Sequence, residues 1–164
     1  MVKGLFVMNE SFVDLVYPAP VQQEIEKLTD IVSPPLSASD ILQDTSILKD
    51  VEVLFSGWDG LQFDEKLLDA AANLKAIFHA AGSIKPIVTD AFWERDIMIT
   101  SAYEANAVPV AEYTLSQILF SLKKGWQFVN DVKNNREYPQ KPYYHIAGGY
   151  GSTVGLISLS SVGR

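Results

Sequence analysis

Short apolar segments recur along the first two thirds of the chain. Gly4 to Met8, Val51 to Phe55 and Leu74 to Phe78 are each bounded by polar residues, as is typical of buried strands. Two weaker segments of the same kind are Asp30 to Val32 and Ile97 to Thr100. This pattern predicts five short strands.

Between these segments, apolar side chains recur every three or four residues. Residues 21–28 show this spacing after Pro20, and residues 64–72 and 88–95 show it again, the last with Thr89 as a possible helix cap. Strands that alternate with helices require right-handed crossovers, which give a mostly parallel sheet covered on both faces. We therefore predict an α/β, flavodoxin-like layered domain over residues 1–103.

Residues 104–164 follow a different pattern. Val108 to Lys124 predicts the longest helix, which is apolar over more than one stripe and must be covered on several sides. Residues 126–150 predict an irregular arm, because prolines and glycines interrupt the aromatic residues Trp126, Tyr138, Tyr143 and Tyr144. An arm of this length usually has a function or packs on a partner.

Composition indicates in which compartment the protein is located and which classes of partner it can bind. The chain has no cysteine, which favours a reducing compartment. The apolar run at the N-terminus is too short for a signal-peptide core, and no later stretch approaches the length of a membrane span. The net charge of -7, with scattered cations, opposes binding to a phosphate backbone. We expect a cytoplasmic protein that binds neither membranes nor nucleic acids.

The two histidines are the first candidates for acid–base chemistry, because histidine titrates near neutrality. His79 falls at the end of a predicted strand and His145 falls in the arm. Two histidines without a third ligand make a poor zinc site, so no metal is expected. A structural role is the simpler interpretation of both.

Five stretches carry a resemblance to a known family: Asn73 to Ile77, Ala80 to Ser83, Glu94 to Ile97, Asn106 to Tyr113 and Gly151 to Gly163. With these stretches the chain resembles the D-2-hydroxyacid dehydrogenases. The resemblance implies two α/β domains with a cleft between them, NAD bound to the second domain with NADP not excluded, and a homodimer. It also implies that a small 2-hydroxy or 2-keto acid lies in the cleft, where a hydride is exchanged with the cofactor.

The resemblance assigns residues 1–103 to the substrate-binding domain. Residues 104–164 would form the interdomain helix, a dimerisation arm and the beginning of the NAD-binding domain. The catalytic arginine, glutamate and histidine of the family belong to the second domain, so the resemblance implies no catalytic residue here. We expect the chain to be inactive by itself.

The resemblance also implies a set of substrate contacts. Consecutive backbone amides, here those of Gly82 and Ser83, would bind the substrate carboxylate, since oriented N–H groups form an anion site without a cationic side chain. The family commonly has glycine at Ser83 and aspartate at Lys85. Trp58 falls near a position that lines the cleft, although a tryptophan there also suits packing. Asn106 matches a substrate contact of some relatives and equally suits the start of the long helix.

The last stretch resembles the opening strand and phosphate turn of a Rossmann unit, in which glycines let the backbone approach a pyrophosphate. Serine stands at two of the three fingerprint positions, Ser158 and Ser160, and Gly163 remains. The resemblance implies that Ser158, Ser160 and Gly163, together with Val110, contact the cofactor. A side chain at Ser160 could crowd the pyrophosphate, which keeps a non-catalytic module that senses a small acid or nucleotide as an alternative. A free-standing flavodoxin-like domain that binds a partner through its long helix is a third hypothesis.

Overall fold

The computed structural model describes residues 1–137, 145–146 and 148–164, which divide into two compact units, Met1–Tyr103 and Glu104–Arg164. Tyr138, Tyr143 and Tyr144 of the predicted arm lie outside the described residues. The first unit contains β1 (Val2–Val7), α1 (Glu10–Val16), α2 (Ala19–Leu28), β2 (Thr29–Ile31), α3 (Ala38–Gln43), a 3-10 helix (Thr45–Asp50), β3 (Val53–Ser56), α4 (Glu65–Ala70), β4 (Ala76–His79), α5 (Asp90–Trp93) and β5 (Met98–Ser101). The remaining helices are α6 (Tyr103–Leu122) and α7 (Gly125–Asn135).

All five strands of the first unit are parallel, in the order β2-β1-β3-β4-β5. This is the flavodoxin-like strand order, so the predicted α/β fold with a parallel sheet is confirmed. The strand segments were predictable because β1, β3 and β4 are apolar and largely buried, as strands covered on both faces must be.

Strand register sorts the side chains into two cores. One row of aligned residues on neighbouring strands faces the larger core and consists of Leu5, Leu54 and Ile77. Phe63 and Phe92 are also fully buried in this core. The next row, Phe6, Phe55 and Phe78, faces the opposite side of the sheet, where Tyr17, Met8 and Val13 complete a smaller, aromatic core.

Local signals explain several helix starts. The predicted cap Thr89 is present, since its side chain accepts a hydrogen bond from the Phe92 N–H at 3.2 Å and donates one to the Phe63 carbonyl. Asn9 caps α1 in the same way through the N–H of Ser11. That helix was not predicted, because Val13 is its one buried residue and the 3.6-residue pattern is therefore weak.

Two predictions for the second unit are wrong. Residues 125–135 form the helix α7 rather than the start of an irregular arm, because Trp126, Val129 and Val132 recur at a helical spacing that the prediction overlooked. Residues 148–164 contain no strand, although the sequence predicts one before the phosphate turn. A strand needs a neighbour for its backbone hydrogen bonds, and the described part of this unit has none to offer.

Candidate functional site

The carboxyl ends of the five strands lie along one edge of the sheet. The chain leaves β1 toward β2 on one side and leaves β3 toward β4 on the other, so the strand order reverses between β1 and β3. In open α/β sheets, ligands bind beyond the carboxyl ends of the strands at such a switch point. The loops that follow β1, β3 and β4 are therefore the first places to look for a binding site.

The loop after β4 is anchored at its start. The Ala80 N–H donates to the Ser56 carbonyl at 2.9 Å, and the Ala102 N–H donates to the Ala81 carbonyl at 3.1 Å. Gly82 is half-buried and Ser83 is exposed. In the part of the chain that the structure describes, neither the Gly82 N–H nor the Ser83 N–H donates a hydrogen bond. Two adjacent amides without internal partners can donate hydrogen bonds to an anionic ligand such as a carboxylate.

A buried polar network supports this loop from below. The Ser56 hydroxyl lies 2.9 Å from Nδ1 of His79, and both residues are buried. The Tyr17 hydroxyl donates to the Phe78 carbonyl at 2.9 Å and lies 3.2 Å from the Ser56 carbonyl, so its single proton is shared between two strand ends. Polar groups need such partners once they are removed from water. The sequence analysis did not identify Tyr17 or Ser56.

Burial also sets the protonation of this network. Burial raises the pKa of the Tyr17 hydroxyl well above its ordinary value, and a hydrogen bond with the Ala80 backbone acts in the opposite direction. Burial lowers the pKa of the His79 imidazole, and a hydrogen bond with the Ser83 backbone opposes that shift. Both groups are therefore neutral at pH 7, which agrees with a structural role for His79.

A cleft of about 230 Å³ opens beside the network, lined by Tyr17, Phe78, His79, Ala80, Thr100, Ser101 and Ala102. All of these residues belong to the first unit. Ligand pockets for drug-sized molecules usually measure several hundred Å³, so this cleft suits a smaller molecule.

Trp58 lies in the loop after β3, on the same edge of the sheet. Its ring packs edge-on against Phe12 with 5.6 Å between the ring centroids, and about half of the side chain (48%) remains exposed. Asp59 turns the loop with a left-handed φ of 60°. Trp58 thus has a packing partner and a free surface, and both roles considered for it from the sequence are compatible with this position.

Asn106 lies inside α6, since the helix begins three residues earlier at Tyr103. The interpretation of Asn106 as a signal for the start of the helix is therefore wrong. The helix also continues through Pro109, which lacks the N–H that would pair with the Ala105 carbonyl. Asn106 and Val110 are both exposed.

The stretch predicted to be a phosphate turn forms a tight turn, without the strand that was predicted before it. The Gly163 N–H donates to the Ser160 carbonyl at 3.0 Å. A Cβ atom on Gly163 would lie only 2.7 Å from the Ser158 carbonyl oxygen, so glycine alone fits this position without a shift. Ser158 has a φ of 79°, a conformation that favours glycine, at one of the positions where the fingerprint has glycine.

Of the predicted site residues, Trp58, Gly82 and Ser83 share the carboxyl edge of the sheet in the first unit. The other predicted residues, Asn106, Val110, Ser158, Ser160 and Gly163, belong to the second unit. Across the described ranges, no three His, Asp or Glu side chains cluster as metal ligands, and no helix has the length and hydropathy of a membrane span.

No family model matches the chain, but individual relatives do. The chain is 25% identical over 147 residues to D-3-phosphoglycerate dehydrogenase of Methanocaldococcus jannaschii, which covers 88% of the chain and 28% of that protein. It is 31% identical over 105 residues to human glyoxylate reductase/hydroxypyruvate reductase, which covers 62% of the chain and 31% of that protein. The chain thus spans about a third or less of the length of these curated relatives.

Solved structures with a similar fold come from the same kind of enzyme. A phosphoglycerate oxidoreductase from Rhizobium etli matches 99% of the chain and 50% of its own length, with a TM-score of 0.73 and 14% identity. The D-lactate dehydrogenase of Aquifex aeolicus in complex with NAD and lactic acid matches 90% of the chain and 41% of its own length, with a TM-score of 0.59 and 20% identity. The family resemblance predicted from the sequence is confirmed by these relatives.

Proposed function

We propose that this chain, whose relatives in sequence and fold are D-2-hydroxyacid dehydrogenases, is the substrate-binding part of an NAD-dependent oxidoreductase. The complete protein would interconvert a small D-2-hydroxy acid and its 2-keto acid. The observation that carries this proposal is the loop after β4, where the Gly82 and Ser83 amides lie at the carboxyl edge of the sheet without hydrogen-bond partners among the described residues.

The substrate carboxylate would accept hydrogen bonds from these two amides. Main-chain donors suit a small acid, because they are already oriented and cost little conformational entropy when the ligand binds. Trp58 would limit the space for the rest of the substrate with its exposed ring surface. The exposed amide of Asn106 would donate to a carboxylate or hydroxyl oxygen.

The cofactor assignment receives partial support from the turn at the end of the chain. Only glycine fits at position 163, because a side chain there would be too close to the Ser158 carbonyl oxygen, and Ser158 itself adopts a conformation typical of glycine. The backbone therefore has features of a pyrophosphate turn. Val110, Ser158, Ser160 and Gly163 would hold NAD, and NADP would bind the same turn. The cofactor, once bound, supplies or accepts the hydride.

We further propose that the 164-residue chain is inactive by itself. Its two histidines are His79, which is buried and hydrogen-bonded to Ser56, and His145, which is exposed. The ring of His79 is buried and its Nδ1 is paired with the Ser56 hydroxyl, which suits a structural role better than that of a general acid–base residue. The absence of cysteine favours a reducing, cytoplasmic location.

A homodimer of the complete protein would cover the apolar surface of the second unit. Large apolar side chains are exposed on α6 and α7, among them Tyr113, Leu115, Leu119, Trp126 and Val129. Monomeric proteins rarely leave contiguous apolar patches of this kind in water. Analytical ultracentrifugation of the complete protein tests this assignment, and a monomer at micromolar concentration would contradict it.

The substrate site can be tested on the chain as it stands. Addition of pyruvate should shift the ¹H and ¹⁵N resonances of the Gly82 and Ser83 amides, while the amide of Gly155, in the second unit, serves as an internal control. The complete gene product should oxidise NADH in the presence of at least one member of a panel of small 2-keto acids, and the 164-residue chain should not. Unchanged Gly82 and Ser83 resonances at saturating pyruvate would refute the proposed substrate site.

A second candidate is a module of the same fold that senses a small acid or a nucleotide without catalysis. The observation that favours it is Ser158, which keeps a side chain in a left-handed conformation, together with serine at position 160. Side chains at these positions reduce the space for a pyrophosphate. Binding of pyruvate or NADH by the complete protein, without turnover of any 2-keto acid, would support this alternative.

A further inference from the structure

The edge-on contact between Phe12 and Trp58 lies at the carboxyl edge of the sheet, outside the two cores. We infer that Phe12 is a positioning residue, which fixes the orientation of the Trp58 indole and thereby restricts the substrate site to short 2-keto acids. This inference rests on the proposed function of the Gly82 and Ser83 amides and adds to it the residue that sets the length of the substrate.

Strand register brings the parts of this site to one edge of the sheet. Val7, at the end of β1, is aligned with Ser56 of β3, and Ser56 is aligned with His79 of β4. Trp58 and Gly82 follow these strand ends after two and three residues. Because neighbouring strands are about 4.8 Å apart, the two loops begin side by side, with the start of α1 next to them.

The loops after β3 and β4 also stay together beyond the strand ends. The Ala80 N–H donates to the Ser56 carbonyl at 2.9 Å, and farther along the Phe63 N–H donates to the Ile87 carbonyl at 2.9 Å. The two loops are thus joined at both ends. This arrangement keeps the loop that carries Trp58 next to the loop that carries the two amides.

The backbone around Trp58 is closely packed. A Cβ atom on Gly57 would lie 3.3 Å from the sulfur of Met8, so this part of the loop rests directly on the smaller core. A Cβ atom on Gly60 would lie 3.4 Å from the Gly57 carbonyl oxygen, which shows how tightly the loop turns. With the backbone held in this way, the freedom that remains to Trp58 is rotation about its side-chain bonds.

Phe12 provides a contact that favours one orientation of the indole. The two rings meet with 5.6 Å between their centroids and 86° between their planes. Phe12 itself stands on a fixed support, because Asn9 caps α1 through the Ser11 N–H at 3.0 Å and Val13 of the same helix is buried. An edge-on pair of this kind favours one arrangement by roughly fivefold.

The rest of the indole is available to limit the substrate, since about half of the Trp58 side chain is exposed. A restrained ring beside the amides leaves less space for chain atoms beyond C3 of a 2-keto acid. An apolar wall discriminates by roughly 10–200-fold for each methylene group that it excludes. The site should therefore prefer pyruvate to 2-oxohexanoate, which has a longer apolar chain.

Three substitutions separate the orientation of the indole from the packing of the loop. Phe12→Leu keeps an apolar side chain and removes the aromatic contact, whereas Phe12→Tyr keeps the ring. Trp58→Ala removes the indole and identifies its NMR signal among the three tryptophans of the chain. Phe120→Leu is the matched control, because Phe120 packs edge-on against Trp126 at 5.1 Å in the second unit.

The test measures ¹⁵N relaxation of the Trp58 indole N–H in the ligand-free chain, together with the dissociation constants of pyruvate and 2-oxohexanoate. We expect Phe12→Leu to increase the mobility of the indole and to lower the preference for pyruvate about fivefold, mainly through tighter binding of 2-oxohexanoate. Phe12→Tyr and Phe120→Leu should leave both quantities unchanged. In the Trp58→Ala background, Phe12→Leu should not change the preference further, because the ring on which it acts is gone.

The possible results distinguish this inference from the proposed function. Equal order of the indole in Phe12→Leu and in the unmodified chain would overturn positioning by Phe12, whether or not either acid binds. An unchanged preference in Phe12→Leu, with pyruvate still bound, would overturn the effect on substrate length and leave the proposed substrate site intact. If the unmodified chain bound neither acid, the proposed substrate site would be refuted, and with it the role of Phe12 in selecting the substrate.

Discussion

Tyr17→Phe isolates the contribution of one buried hydroxyl. The substitution keeps the ring, and with it the edge-on contacts to Phe6 at 5.4 Å and to Phe55 at 6.2 Å between centroids. It removes the hydrogen bond to the Phe78 carbonyl at 2.9 Å and the weaker one to the Ser56 carbonyl at 3.2 Å. The Ser56 carbonyl still accepts from Ala80, so the main loss falls on Phe78.

The expected loss of stability follows from the hydrogen bonds that the substitution removes. A buried hydrogen bond contributes about 1 kcal/mol, so we expect the free energy of unfolding to fall by about 1 kcal/mol. For a unit of this size, that corresponds to a decrease of roughly 4–8 °C in the melting temperature.

Urea and thermal denaturation, followed by circular dichroism, measure both quantities. Tyr150→Phe is the control, because Tyr150 is fully exposed and its substitution should change stability by less than about 0.5 kcal/mol. If Tyr17→Phe were as stable as the Tyr150 control, the hydroxyl would contribute nothing, and the description of the network at the strand ends would be wrong.

Three further predictions concern other parts of the chain. Because the pKa of His79 is lowered in the folded chain, protonation of its ring favours the unfolded chain. The free energy of unfolding should therefore be highest above about pH 6.5 and should decrease as the pH falls below that value. Denaturation between about pH 7.5 and 5.5 should show this decrease in the unmodified chain and not in His79→Gln. Thr89→Ala should lower the free energy of unfolding by about 1–2 kcal/mol, since the cap of Phe92 is lost, while Thr89→Ser should restore most of it in the same urea titration. Ser158→Gly should relieve about 1 kcal/mol of backbone strain and slow hydrogen exchange at the Gly163 amide, and Ser158→Ala should not.

The sheet was predictable because its signal is local. Each of β1, β3 and β4 is a short apolar segment, and burial on both faces of a parallel sheet demands such a segment. Boundaries were less accurate: β3 begins at Val53, two residues after the start of the apolar segment. The Val51 side chain is nevertheless buried, so hydrophobicity alone does not mark where strand pairing begins.

The network beneath the loop was not predictable, because it depends on register. Ser56 and His79 are 23 residues apart, and only the alignment of β3 with β4 brings them to 2.9 Å. Tyr17 reaches the same point from the end of α1, 39 residues from Ser56. Nothing in a single sequence distinguishes this histidine from one that packs in a core without a polar partner.

The position of β1 in the sheet has a consequence for how the first unit folds. The first strand of this chain, β1, lies between β2 and β3, and its partner β3 begins about fifty residues later in the chain. Pairing over that separation carries an entropic cost that must be met before its contacts stabilise the fold, which makes folding of such sheets slow. Leu5 and Val7 belong to the larger core, and Phe6 and Met8 belong to the smaller one. A deletion through Met8 would therefore remove a part of both cores and disconnect β2 from the other three strands.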